Sequence, residues 1–259
     1  ATAPATTFAL IRETRAKGTF VKTLLSVVAI DNIVCIMLFS FVLAIVGDVF
    51  ENPDGDVRIA TAVGHAALQF VGALILGFGA GWFVETAAAR IRGNDFGIVA
   101  AAILVCAGAS MFLALNPLLS NLFLGNRSIK TERQLNALSV MENSLYLCFF
   151  TLAGTALHVD SLTEAGWLVT VYLAARAVGK SLGALAGGRL LNISPRIYSN
   201  VAIALWPQAG VAIGLVVLLE GDARIPEGMA PLIGTVVLAA VTVNEVIGPF
   251  FTRGALHRS

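Results

Sequence analysis

From Val21 to Gly47 the chain reads VKTLLSVVAIDNIVCIMLFSFVLAIVG. After Lys22 every residue in that run is apolar or uncharged except Asp31. About 20 apolar residues suffice for a helix to cross a bilayer, so this run is long enough to span one. A carboxylate inside a span costs roughly 2.5–3.5 kcal/mol on insertion scales, which makes Asp31 a functional-site candidate from the outset. Its neighbour Asn32 belongs to the same question.

The rest of the chain repeats the pattern. Of 259 residues, 57% are hydrophobic and 13% charged, and the mean hydropathy is +0.84. Soluble domains carry about a quarter charged residues. The class that follows is an all-α polytopic membrane protein. A net charge of +1 gives no reason to expect nucleic acid as a partner. Cys35, Cys106 and Cys148 fall in apolar runs without metal-ligand spacing, and are expected to pack as small hydrophobes. The start, ATAPATTFALIRETRAKG, has no basic end before an apolar stretch and no initiator Met, so the chain is expected to begin mid-protein.

Seven full spans are predicted at about 22–47, 59–84, 96–113, 138–157, 165–187, 199–219 and 229–251. A shorter apolar piece follows the Asn116-Pro117 break, at about 117–126, and crosses or re-enters. The loops then alternate sides. Residues 1–22, 85–95, 127–137, 188–198 and 252–259 together hold 13 Lys and Arg, against 2 in 48–58, 158–164 and 220–228. The positive-inside rule places the first set, and with it the C-terminus, in the cytoplasm. Trp82 and Trp167 fall near span ends, as interfacial anchors do. Five charged residues stay within or at the edge of spans: Asp31, Glu142, Glu245, Arg176 and Lys180. Residues of this kind mark ion pathways and proton relays.

Two stretches interrupt helices at membrane depth: Thr2-Ala3-Pro4 at the start, and Trp206-Pro207-Gln208-Ala209-Gly210 within the span at 199–219. Proline removes a backbone donor and clashes with the preceding turn, and Gly210 is expected to let the chain leave helical geometry. Backbone groups freed inside a membrane line a cavity or find partners, which is how discontinuous helices build ion sites. Each break is followed by a span with an adjacent acid and amide, Asp31-Asn32 in one case and Asn244-Glu245 in the other. The two spans run in opposite directions, as inverted repeats would. The first repeat is expected to lack its opening helix and half of its broken helix.

With these motifs in order, the chain resembles the C-terminal part of a monovalent cation:proton antiporter of the CPA2 type (Kef-like and NapA-like). ATAP at 1–4 is similar to the first broken helix and VVAIDNIVCI at 27–36 to the helix with two adjacent acids. ARAVGKSLGA at 175–184 is similar to the helix carrying the basic partner. WPQAGVAIGL at 206–215 is similar to the second broken helix, and NEVIGPFF at 244–251 to the last core helix. The resemblance implies an inverted-repeat antiporter fold with crossed discontinuous helices, a homodimer, and a bacterial inner-membrane location. The chain divides accordingly. Residues 1–50 are the remainder of the first core repeat, 51–160 are linker and dimerisation helices, and 161–259 are the second core repeat, broken at 206–210. In the direct register Asp31 matches the first acid, and Asn32 replaces the second, which is the one usually credited with binding cation and proton. Shifted by one, Asp31 is that acid and Ile30 holds the first place. Either way the pair has one carboxylate.

The implied activity is exchange of protons for Na⁺ or K⁺, with both ions competing for Asp31 and no cofactor. Dehydrated alkali ions need several oxygens. Asn32, the Thr2 hydroxyl and carbonyls near Pro4 are the expected further ligands. Lys180 and Arg176 lie four residues apart on one helix face. Lys180 is preferred as the ion-pair partner of Asp31 from its Gly-Lys-x-x-Gly setting. Arg176 is the other candidate, or a cap on broken-helix carbonyls. Gly179, Gly183 and Gly187 are expected to let this helix pack closely on neighbours. With one acid in the pair, exchange is expected to move fewer protons per cation unless Lys180 also titrates. Glu245 is the second-repeat acid. Glycines 77, 79 and 81 read as helix packing, not a nucleotide loop, and His65 as structural. No Ser/His/Asp or His/Cys arrangement suggests enzyme chemistry. The alternatives are an ion-coupled organic-solute symporter and, given Asn32, a non-transporting pseudo-transporter.

Overall fold

A computed structural model describes residues 1–51, 59–90, 95–128, 159–226 and 228–258, with a few isolated positions between 144 and 155. Among these the regular structure is helical: α1 Pro4–Thr14, α2 Thr19–Glu51, α3 Ile59–Arg90, α4 Asp95–Phe112, α5 Pro117–Ser128, α6 Val159–Leu190, α7 Pro195–Ala204, α8 Gly210–Glu220 and α9 Met229–Arg258. Four stretches are long and apolar enough to cross a bilayer: Thr19–Gly47, Val63–Arg90, Gly166–Leu190 and Met229–Leu256. The span expected at 138–157 lies, apart from isolated positions, outside the described residues, as does Glu142.

The chain forms two compact units, Ala1–Cys35 with Ala153–Ser259, and Ile36–Leu152. In the first, Leu10 of α1, Phe20, Leu24 and Val28 of α2, Val201 of α7, Leu205 and Leu256 of α9 form one buried cluster. Val169 of α6 meets Val236, Ala239 and Ala240 of α9 in another. Large apolar side chains such as Trp167, Leu190 and Phe250 stay exposed, as lipid-facing surfaces require.

Proline opens two of the short helices of this unit, at Pro4 and Pro195, where its missing N–H costs nothing. Helix α1 ends at Arg15 in the left-handed region (φ 51°), with its amide on the Arg12 carbonyl. The second break runs Leu205–Ala209. Gly210 is the first residue of α8, so the expected use of Gly210 to leave helical geometry is not what occurs. Ala209 makes the departure (φ −149°, ψ −128°). The turn after α8 is fixed by Asp222, which accepts the Arg224 backbone amide at 3.0 Å and its guanidinium at 2.9 and 2.6 Å. That guanidinium holds the Asp222 carboxyl below its ordinary range.

In the second unit, α5 has 12 residues. It is about 18 Å long at ~1.5 Å per residue, too short for a hydrocarbon core of ~30 Å. Asn116 caps it, accepting the Leu118 and Leu119 amides at 3.0 and 3.2 Å and donating to Ser40. Helix α5 packs on α3 where a Cβ at Gly77 would meet the Ser120 carbonyl, and one at Gly81 would meet Arg127. Both are therefore packing glycines, while Gly79 faces open space. Phe70 and Phe78 flank Phe123 with ring centroids at 5.6 and 6.0 Å. Arg127 pairs with Glu85.

Contrary to their spacing, Gly179, Gly183 and Gly187 admit no neighbouring helix among the described residues. No atom lies within 4 Å of an added Cβ at any of them among the described residues. The close contact on α6 is at Gly188, against Tyr198. The open glycine face borders a cleft of about 640 Å³ that Asp31, Arg176 and Lys180 also line.

Candidate ion-binding site

The two breaks meet. The Ala3 amide, just before α1, donates to the Pro207 carbonyl at 3.0 Å. Proline at 4 and at 207 removes two backbone donors, and the Ala1, Trp206 and Pro207 carbonyls lie outside any helix. Arg176 supplies much of what is missing. Its guanidinium donates to the Trp206 carbonyl at 2.6 Å, the Ala1 carbonyl at 2.8 Å and the Pro207 carbonyl at 3.4 Å. A planar fork of donors suits three carbonyls from two strands of chain better than an ammonium does. Of the two positions expected for Arg176, the structure shows it as the cap on the break.

One turn along α6, Lys180 pairs with Asp31. The Thr2 hydroxyl donates to the other Asp31 oxygen at 2.8 Å and lies 3.3 Å from the Leu205 carbonyl. Lys180 also lies 3.4 Å from that hydroxyl. Asn32 is 2% exposed, and its side-chain oxygen has no hydrogen-bond partner among the described residues. A buried acceptor without a donor is costly, and a bound cation would relieve it. The carbonyls expected near Pro4 are less available than the sequence suggested. That of Ala1 is taken by Arg176, and that of Ala3 by the Thr7 amide and hydroxyl.

The second acid lies apart from this cluster. Glu245 of α9 accepts from the Thr6 hydroxyl at 3.2 and 3.3 Å. Asn244 donates to Gln208 at 3.2 Å, and Gln208, 2% exposed, donates to the Tyr172 hydroxyl at 2.8 Å. Gly248 brings α9 against the break, since an added Cβ would lie 2.9 Å from Pro207 Cα. Trp206 donates to Ser181 at 3.2 Å and meets Phe251 in a tilted ring contact with centroids 4.8 Å apart. Thr6 and Tyr172 were not singled out from sequence. Tyr172 was findable, because residues 172, 176 and 180 recur every four along α6 and so share its polar face. Thr6 had no such signal. Among the described residues no group of three or more His, Cys, Asp or Glu is placed to hold a metal.

A family model for the transmembrane sodium/hydrogen exchangers matches residues 1–253. The chain belongs to the sodium/hydrogen exchanger family. It is therefore an integral, multi-pass membrane protein of a transporter family that works on sodium ions and protons. Among curated proteins nothing matches the chain. Within the exchanger, the polar residues picked out by the sequence divide into an Asp31–Lys180–Thr2 group, an Arg176-capped crossing, and a Glu245–Thr6 pair.

Proposed function

We propose that this exchanger moves Na⁺ or K⁺ against protons by alternating access, with Asp31 as the shared proton and cation site. The observation that carries this reading is Asp31 itself: a carboxylate in a spanning helix, bound by Lys180 and Thr2, and its sequence neighbour Asn32 keeps an oxygen without a partner among the described residues. In the ion-free state the Lys180 ammonium balances the Asp31 charge. An incoming cation takes its place, bound by the Asp31 carboxylate, the Thr2 oxygen and the Asn32 carbonyl oxygen. A proton on Asp31 removes the charge that holds the cation, so the two ions exclude each other. That exclusion is the basis of antiport. Arg176 takes no part in the exchange; it keeps the crossing intact while the ions change.

The same reading takes 1–50 and 161–259 as inverted core repeats and 51–160 as the dimerisation scaffold of a homodimer. The charge asymmetry of the loops supports a cytoplasmic C-terminus, and the resemblance to bacterial antiporters supports an inner-membrane location. The test is Asp31→Asn in proteoliposomes holding the transporter as the cell makes it. Proton-driven Na⁺ or K⁺ flux should fall to the level of empty vesicles. Retained flux would sink the assignment. Loss of organic-solute uptake without any ion exchange would point to a symporter, and no flux even in the unaltered protein to a pseudo-transporter.

A further inference from the structure

Glu245 lies inside the bilayer-spanning part of α9, Met229–Leu256, yet no cation among the described residues pairs with it. Its one hydrogen-bond partner among the described residues is the Thr6 hydroxyl. The helices packed against α9 are α1, α6, α7 and α8. Their described charged and titratable side chains are engaged elsewhere or do not reach it. Glu13 of α1 pairs with Arg253. Arg176 is held by carbonyls, Lys180 by Asp31, and Tyr172 by Gln208. Glu220 of α8 lies against Gly234, eleven residues before Glu245. Among the described residues, no hydrogen bond or ion pair joins Arg12, Arg189 or Tyr198 to it. A carboxylate at this depth needs a neutralising ion, and the described residues place none on it.

Two further features bear on it. Thr6 is the third residue of α1, whose first turn holds no acid of its own and no side-chain cap. Glu245 thus faces the positive end of a half-helix. Pro249 stands inside α9 four residues after Glu245, so the Glu245 backbone carbonyl lacks its usual amide donor. The acid sits at an opened turn of its own helix.

We propose that Glu245, with Thr6, is a second proton-carrying site of the exchanger. In each cycle its carboxylate takes one proton from water on one side of the membrane and releases it to water on the other. The Asp31–Asn32 pair has one titratable carboxyl, because an amide does not exchange a proton in this way. Glu245 supplies the second. The link between the sites is the end of α1: Thr2 donates to Asp31, and Thr6, four residues on, to Glu245. A bond to an ionised carboxylate is roughly twice as strong as one to a neutral group. Protonation of Glu245 therefore loosens α9 from the helix end that also holds Asp31.

The proposal rests on the antiport reading, and its test separates the two. The proton-to-cation ratio is measured by reversal potential in proteoliposomes for the unaltered transporter, Glu245→Gln, Glu245→Asp and Lys180→Gln. The expected ratio is two, falling to one in Glu245→Gln and staying at two in Glu245→Asp and Lys180→Gln. In parallel, infrared difference spectra across pH follow the protonated-carboxyl stretch. A titrating band present in the unaltered protein and in Asp31→Asn, and lost in Glu245→Gln, is expected even where transport is dead. An unchanged ratio in Glu245→Gln, a ratio of one in the unaltered protein, or a missing band would each overturn the second site while leaving Asp31 antiport standing. No exchange in the unaltered protein would overturn the antiport reading, and the transport role of Glu245 with it.

Discussion

Lys180 and Arg176 stand one helical turn apart, and by sequence pattern either suits Asp31. Their contacts differ in kind: an ammonium on a carboxylate, a guanidinium on three backbone carbonyls. The two positions should therefore respond differently to substitution. In Lys180→Gln the Asp31 charge has no protein cation, so added Na⁺ or K⁺ should raise the melting temperature more than in the unaltered protein, as binding linkage requires. A smaller cation effect would contradict displacement of Lys180 by the ion. Arg176→Lys leaves at least one buried carbonyl unpaired, at about 1–3 kcal/mol each. It should lower the melting temperature with or without cation. The sequence drew attention to Asp31, Asn32, Lys180 and Arg176 because a charged or amide group in an apolar run is conspicuous by itself. Thr6 was not conspicuous: a threonine is common in membrane helices, and its partner Glu245 is 239 residues away.

Helix packing separates the glycines more sharply than spacing does. Glycines at intervals of four occur in both α3 and α6, but in α3 Gly77 and Gly81 admit α5, while in α6 Gly179, Gly183 and Gly187 face open space. Gly248 of α9 admits Pro207. Adding a methyl group at Gly248 must move the break, since the obstacle is backbone. Gly248→Ala is expected to destabilise by about 1–3 kcal/mol, in the range of overpacked cores, and to slow exchange. Gly183→Ala is expected to change stability by less than about 0.5 kcal/mol, as open positions do. Chemical denaturation in detergent reads both. A large loss at Gly183→Ala would mean that this face of α6 is covered in the working protein. The helix breaks, by contrast, were readable without packing, because proline removes a donor wherever it stands.

For the molecule as a whole, the loop charges set a direction across the membrane. Single cysteines at Ser194 and at Gly221, in a variant lacking the native three, should label from opposite sides with an impermeant maleimide, with Ser194→Cys reached from the cytoplasm. Labelling of both from one side would overturn the alternation of spans. Sequence alone determined that the chain is a multi-pass helical membrane protein, that prolines at 4 and 207 bar a continuous helix through those points, and that Asp31 is an acid where acids are costly. Those are consequences of composition and of local backbone chemistry, which each residue carries with it. Only the tertiary structure decided which groups meet. It placed Ala3 against Pro207, gave Lys180 and not Arg176 to Asp31, left the oxygen of Asn32 without a donor, and set Glu245 on Thr6. The physical reason is distance along the chain. Periodicity ranks residues that share a helix face, but contacts between helices far apart in sequence depend on how the breaks let those helices approach.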